Sequence, residues 1–527
     1  MEKGYLSLIL HAHLPFVRHP EHPDFLEERW FFEALTETYI PLLSMLEGLQ
    51  NDKVDFRLTI NISPTLAAML QDELLLYRFE QHLNKMIELS GKEIERTRFM
   101  PEFNKLAHMY HQRFSETKKM FLDKWQRNLP QAFKAIQETG KLEIITCCAT
   151  HGYLPLIGIQ EETVKAQVRV GVSSYRRVFG TNPKGIWLPE CGYFDGLDKF
   201  LKEEGIKYFI LETHGVIFGV PRPKFGVYSG YWTPNRVGVF GRDMESSKSV
   251  WSAIEGYPGD YSYREYYRDI GFDLDYNHVQ PYIAPTGERV FTGIKYYKIT
   301  GETEGKQPYI PEEAREKSAY HAGNFMFNRE KQIEYLSSLL GRKPIIICPY
   351  DAELFGHWWF EGISWLNFLI RKACYDQNVF KLTTPFEYLK RYPKNQVINP
   401  AGSSWGYKGY SEVWLGGYND WIYPHLHRAA ELMARLARNK NNPGHLKTRI
   451  LNQMTRELLL AQSSDWPFIL KTQTFTSYAE KRIIEHLENF YSLYNQLKRS
   501  HPDEGFVANL ENKNNPFSDI NYSVFSA

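Results

Sequence analysis

Residues of a few chemical kinds stand at the ends of short apolar runs. His11 and His13 follow Tyr5–Leu10, His151 follows Leu142–Cys148, Glu190 follows Gly185–Leu188, and Asp351 follows Pro344–Cys348. Two carboxyls facing one pocket can divide glycosyl transfer between them, one attacking the anomeric carbon while the other protonates the departing oxygen. A retaining reaction needs them about 5–5.5 Å apart, a separation that opposed strands of one barrel can supply. The histidines would then hold the nucleophile or hydrogen-bond sugar hydroxyls. His-x-His is also a metal-ligand spacing, and with the carboxylates it could build a hydrolytic site. No further Cys/His pair completes such a set, so neither a metal nor a cofactor is expected.

These residues need elements that deliver them to one place. Gly185–Leu188 reads as a buried strand, and Pro189 has no N–H for a ladder, so pairing should stop just before Glu190. A carboxylate at a strand's carboxyl end is where parallel α/β barrels keep their chemistry; a helix N-cap or surface glutamate is the plainer alternative. Phe56–Asn61, Lys207–Leu211 and Val237–Phe240 read as further strands, the last running into Gly241-Arg242-Asp243, with Val379–Leu382 an eighth or a peripheral one. Strands alternating with helices predict an α/β fold of the (β/α) barrel type with seven or eight strands. An open doubly wound sheet is the rival.

From about 75 to 140 the apolar spacing is three and four, which predicts a helical insertion. Val216–Gln307 is a long segment dense in Tyr, Gly and Pro, a composition that points to a functional loop. After Pro400 an aromatic, glycine-rich lead-in with Trp405 and Trp414 precedes helices expected at Pro424–Arg438, Leu446–Ala461 and Tyr478–Arg499. The expected division is a catalytic barrel over 1–400 and a helical domain over 401–527 that lends aromatic residues to the site. The polar tail from Asn509 is expected to fray.

Among 527 residues the net charge is +1, which favours neither nucleic acid nor an anionic membrane. Aromatics make up 15%, with 34 Tyr and 12 Trp, a surplus suited to protein interfaces or sugar faces. Five cysteines, an odd number without C-x-x-C spacing, read as buried free thiols of a reducing cytoplasm. No signal peptide or membrane-length apolar run is visible, and a soluble cytoplasmic protein is expected.

His11-Ala-His13-Leu-Pro, Ala149-Thr-His151-Gly-Tyr-Leu-Pro, Trp187-Leu-Pro-Glu190-Cys-Gly-Tyr, Tyr350-Asp351-Ala-Glu-Leu-Phe-Gly-His357-Trp-Trp and the Trp405/Trp414 segment resemble, in order, the five signature blocks of glycoside hydrolase family 57. The Tyr350 string and Ser463-Ser-Asp465-Trp-Pro-Phe468 are most similar to its 1,4-α-glucan branching enzymes. The resemblance implies an incomplete (β/α)7 barrel with a helical insertion and a C-terminal all-helical domain. It implies Glu190 as nucleophile, Asp351 as general acid/base, and His11, His13, His151, Arg264, Trp405, Trp414 and Asp465 around the substrate. It also implies a loop tyrosine over the site, for which Tyr231 is the candidate and Tyr228 the alternative. The implied partner is an α-1,4-glucan, with no metal. An α-amylase or 4-α-glucanotransferase of the same family, or a non-catalytic glucan-binding protein, are the other readings.

Overall fold

The computed structural model describes residues 2–252, 254–283, 287–303, 305–439 and 443–526. Its strands are β1 (Gly4–Ala12), β2 (Leu58–Ile62), β3 (Leu142–Cys147), β4 (Gly185–Trp187), β5 (Tyr208–Leu211), β6 (Tyr231–Trp232), β7 (Gly238–Gly241), β8 (Ile345–Asp351) and β9 (Phe380–Leu382). They form one curled sheet in the order β6-β7-β5-β4-β3-β2-β1-β8, with β9 added on β1. All pairs are parallel except β6–β7, as expected where helices join successive strands. Among the described residues the sheet does not close by a ladder. Two backbone bonds tie its ends instead, Ile345 N to Tyr228 O at 3.0 Å and Asp243 N to Ile347 O at 3.0 Å.

Every residue of β1 is buried, which suits a strand covered on both faces. Register then fixes the site. His11 is level with Asn61 of β2 and with Asp351 of β8, so three polar residues reach one rim of the sheet together. The helix Glu161–Phe179 lies so close behind β3 that a Cβ on Gly171 would sit 2.1 Å from the Cys147 carbonyl oxygen.

The helical insertion is present as Glu73–Arg96, Pro101–Lys119 and Leu129–Glu138. The later helices run Ile422–Ala437, His445–Ala461, Asp465–Thr472, Thr476–Leu497 and Glu504–Lys513. The tail departs from expectation: it does not fray. Val507 and Phe525 are fully buried, and Asn514 Nδ2 donates to Glu457 Oε1 at 2.9 Å, so apolar anchors spaced through a polar stretch hold it down. Four of the five thiols are buried, and Cys374 is partly exposed. No described helix is long and apolar enough to cross a membrane.

Candidate active site

Glu190 sits where β4 stops. Pro189 ends the pairing, and Glu190 and Cys191 both take left-handed backbone, at φ 60° and 49°. His151, after β3, does the same at φ 59°. Non-glycine residues held there cost on the order of 1–3 kcal/mol each and persist only when the surroundings over-determine them. Here the surroundings are the chain beyond residue 400. Trp405 N donates to the Glu190 carbonyl at 2.9 Å, and Ser464 N donates to the His151 carbonyl at 3.0 Å. The same segments grip the Glu190 carboxyl: Trp405 Nε1 donates to Oε2 at 2.6 Å, and Ser464 Oγ lies 2.7 Å from Oε1.

Behind Glu190 the histidines form a stacked layer. His151 Nδ1 is 2.7 Å from Ser464 Oγ, His151 Nε2 is 3.0 Å from His11 Nε2, and His11 Nδ1 is 2.6 Å from Asn61 Oδ1. His11 also stacks on Trp187 with ring centres 4.6 Å apart. His13 bridges Ser63 Oγ at 2.9 Å and Asp465 Oδ2 at 3.1 Å. Burial works against a charge on His13, but Asp465, Glu353 and Glu190 outweigh it and hold its pKa above the ordinary value. Burial and the His13 charge push His11 and His151 well below theirs.

The two carboxyls are treated differently. Burial pushes Glu190 up to about 7, the Trp405 indole restrains it, and the Asp465 charge adds to the push. Asp351, at the end of β8, is raised well above the carboxylate range by burial, then by the charges of Glu353 and Glu190, with Arg242 alone opposing. Glu353 is itself fixed: it accepts from the Tyr39 hydroxyl and from His13 N. Among the described residues no side chain hydrogen-bonds the Asp351 carboxyl.

His13, His151 and Asp465 bring possible ligand atoms within 4.8 Å of one another. Each ring nitrogen of both histidines already has a hydrogen-bond partner, and the Asp465 oxygen in question accepts from His13 and Ser463. These donor atoms are all engaged in the hydrogen-bond network behind Glu190.

Carboxyls at two strand ends of a curled parallel sheet, locked to a helical C-terminal region, match a known group of proteins over nearly the whole length. The family profile "Glycosyl hydrolase family 57" covers residues 7–400. The chain belongs to glycosyl hydrolase family 57. A second profile, "1,4-alpha-glucan branching enzyme, C-terminal", covers residues 425–525. The 1,4-alpha-glucan branching enzyme TK1436 of Thermococcus kodakarensis is 33% identical over 98% of this chain and 78% of its own length. Among solved structures, the alpha-amylase AmyC from Thermotoga maritima superposes with a TM-score of 0.92 at 44% identity, covering 99% of both chains. The branching enzyme from Pyrococcus horikoshii superposes at 0.89 with 32% identity, covering 100% of this chain and 97% of that one.

Within this family 57 chain the structure gathers His11, His13, His151, Glu190, Asp351, Trp405 and Asp465 at one mouth. It places three other expected site residues elsewhere. Trp414 is 1% exposed and stacks on Tyr153 at 4.7 Å, so it backs the site wall and offers no face to a ligand. Arg264 is buried over the Phe360 ring at 3.9 Å and donates to Tyr110 of the insertion, so it pins the insertion to the barrel. Tyr231 is fully buried in β6, its hydroxyl donating to the Gly226 carbonyl at 2.8 Å and accepting from Phe225 N at 2.9 Å. In this structure it packs in the core, on a short strand that pairs with β7. Tyr228 is partly buried and holds the sheet ends together through its carbonyl.

Four contributors escape sequence reading. Asn61, Ser464 and Arg242 act on the site through contacts across sequence separations that no local pattern reports. Trp251, whose ring meets Trp405 edge-on at 6.3 Å, ends an ordinary-looking helix. The adjacent Trp358-Trp359 pair divides: Trp359 is buried, while Trp358 is 53% exposed beside Tyr266.

Proposed function

We propose that this chain is a 1,4-α-glucan branching enzyme in which Glu190 is the nucleophile and Asp351 the general acid/base. The observation that carries the reading is the C-terminal region. Its profile match over 425–525 is to branching enzymes, and the chain beyond 400 brings Trp405 and Ser464 to the carboxyl at the end of β4 and Asp465 to His13.

The two carboxyls have the division of labour that double displacement needs. Asp351 keeps its proton because it is buried and has only Arg242 to favour its charge. It protonates the glycosidic oxygen as Glu190 attacks the anomeric carbon, giving a covalent glycosyl ester and releasing the reducing-end piece. Asp351, now a carboxylate, takes the proton of an incoming glucose 6-hydroxyl, whose oxygen displaces Glu190 and forms the α-1,6 bond with net retention. Tyr407, Tyr410 and Tyr418 of the lead-in are 69%, 50% and 56% exposed and offer flat faces to pyranose rings. Transfer prevails over hydrolysis if the loop beyond Trp251 and the helical region keep water from the ester.

A second reading has its own support: the 44% identity to the alpha-amylase AmyC. Proton NMR of amylose before and after incubation separates them. The branching reading expects new α-1,6 anomeric signal with few new reducing ends. Reducing ends without α-1,6 signal would establish the amylase reading.

A further inference from the structure

The network behind Glu190 contains a shortage of one proton. Asn61 Nδ2 donates to the Ile145 carbonyl at 3.2 Å, while its Oδ1 faces His11 Nδ1 at 2.6 Å. Turning the amide over would set two oxygens against each other at Ile145, so Oδ1 is an acceptor and His11 carries its proton on Nδ1. A neutral His11 then has a lone pair at Nε2, and His151 Nε2 must donate to it across 3.0 Å. A neutral His151 in turn has a lone pair at Nδ1, facing Ser464 Oγ at 2.7 Å. Ser464 Oγ faces Glu190 Oε1 at the same distance, 2.7 Å. One hydroxyl proton thus faces two acceptors. Glu190 cannot offer its other oxygen, because Oε2 already holds the Trp405 indole N–H.

A second proton on His151 is opposed from above. His13 donates from Nδ1 to Ser63 Oγ, whose own proton goes to Thr65 Oγ1, and from Nε2 to the Asp465 carboxylate, so His13 is an imidazolium. Its ring stacks on His151 with centres 3.9 Å apart.

We propose that Ser464 is a positioning residue that sets the protonation state of Glu190: its proton belongs to His151 Nδ1, and Glu190 Oε1 supplies the proton that closes the remaining contact. This rests on the reading of Glu190 as nucleophile. To ionise, Glu190 loses its Oε1 proton to solvent: the O–H bond breaks at Glu190, water takes the proton, and the Ser464 hydroxyl is left with one proton between Glu190 Oε1 and His151 Nδ1, 2.7 Å from each. His151 Nδ1 stays bare, because the His13 imidazolium stacked on it opposes a second proton. Burial and Asp465, which also raise the Glu190 pKa, act alongside this device and independently of it. The other groups facing Glu190 are Asp351 from β8, His13 just past β1, Cys147 from β3, Cys191 and Tyr153, with Arg242 beyond Asp351. None of them is altered by a change at Ser464.

The test is the pH dependence of kcat/KM, whose acid limb reports the free enzyme's base. In Ser464→Ala the acid limb should fall by about one pH unit, because Glu190 no longer faces a lone pair that demands its proton. The sign is the same if a water fills the gap, since its two protons serve both acceptors. Turnover should fall about tenfold as the carboxyl loses its hold, and Ser464→Thr should restore both limb and rate. A limb that stays put or rises in Ser464→Ala would overturn the proposal, a rise meaning that the hydroxyl had been a plain donor to Glu190. A neutron structure of the unaltered protein below pH 6 reads the chain directly. Deuterons are expected on Glu190 Oε1 and His151 Nε2 with His151 Nδ1 bare, and a deuteron on Nδ1 would sink the idea. Retained turnover in Glu190→Gln would instead unseat the nucleophile reading and leave the neutron result standing.

Discussion

The carboxyl at the end of β4 and the carboxyl at the end of β8 reach the same mouth by opposite means. Glu190 lies on strained backbone, and both its carbonyl and its carboxyl are held by residues from beyond 400. Asp351 lies on ordinary extended backbone at φ −65°, in register with His11, and among the described residues no side chain hydrogen-bonds its carboxyl. A nucleophile must meet one carbon along one line, so rigidity serves it. An acid/base must give up a proton and later take one from a different oxygen, so a carboxyl free of fixed donors serves that role. The barrel therefore supplies the proton carrier unaided, whereas the helical region completes the nucleophile.

The largest break in this comparison comes from removing each charge. Glu190→Gln and Asp351→Asn are each expected to lower glucan turnover by about 10⁴-fold. They should differ with an α-glucosyl fluoride, whose leaving group needs no proton. Asp351→Asn should still form the glycosyl ester, visible by mass spectrometry of the intact protein, and Glu190→Gln should not. Equal behaviour of the two variants would erase the assigned roles.

Next in size is the hold on Glu190. Trp405→Phe keeps a ring and deletes the indole donor at 2.6 Å. A hydrogen bond to a charged group contributes about 1.5–3 kcal/mol, so kcat should fall roughly 10- to 100-fold, and the acid limb of the profile should rise. No substitution beyond residue 400 should shift the Asp351 limb comparably, because no side chain from that region hydrogen-bonds its carboxyl among the described residues. Steady-state rates across pH would check both statements.

Holding a carboxyl in a buried place has a cost in stability that can be read separately. The folded-state pKa of Glu190 is raised from 4.5 to about 7, so its contribution to stability is fully present below 4.5 and lost as pH rises through 7. Glu190→Gln should therefore melt with the parent protein near pH 4 and a few degrees above it near pH 8, a gap of at most about 3 kcal/mol. Calorimetry at the two pH values decides it. A variant less stable at pH 8 would mean that the donors outweigh the burial.

The contrast between the two carboxyls also separates what was legible in the chain from what was not. Asp351, Glu190 and the histidines announce themselves because each ends an apolar run, and a parallel strand's end is a local pattern. The helical insertion and the later helices follow from three- and four-residue spacing in the same way. Asn61 and Ser464 carry no such mark, since a polar residue at a strand end or before a short helix is ordinary until its neighbours are known. Ser464 is 274 positions from Glu190, and only the fold makes them partners. Trp414 and Arg264 show the converse: their motifs are local, but their burial against Tyr153 and Phe360 is a tertiary property. The polar tail looked loose because its anchors, Val507, Phe517 and Phe525, are sparse.

The smallest effect is expected at Tyr231, and it bounds the site from the side of β6. Its hydroxyl makes two backbone hydrogen bonds, to Gly226 O and from Phe225 N, inside a fully buried environment. Tyr231→Phe leaves the ring packed and deprives those two groups of their partner, at a cost of about 1–3 kcal/mol in stability. Branching rate and the ratio of α-1,6 bonds to reducing ends should stay within about twofold, because a group that touches only the core acts on chemistry through folding alone. A tyrosine that closed over the ester would behave otherwise: its loss would admit water and raise hydrolysis at unchanged stability. Measuring the melting temperature and the product ratio on the same variant therefore distinguishes a wall from a lid, and a changed ratio would return Tyr231 to the mouth.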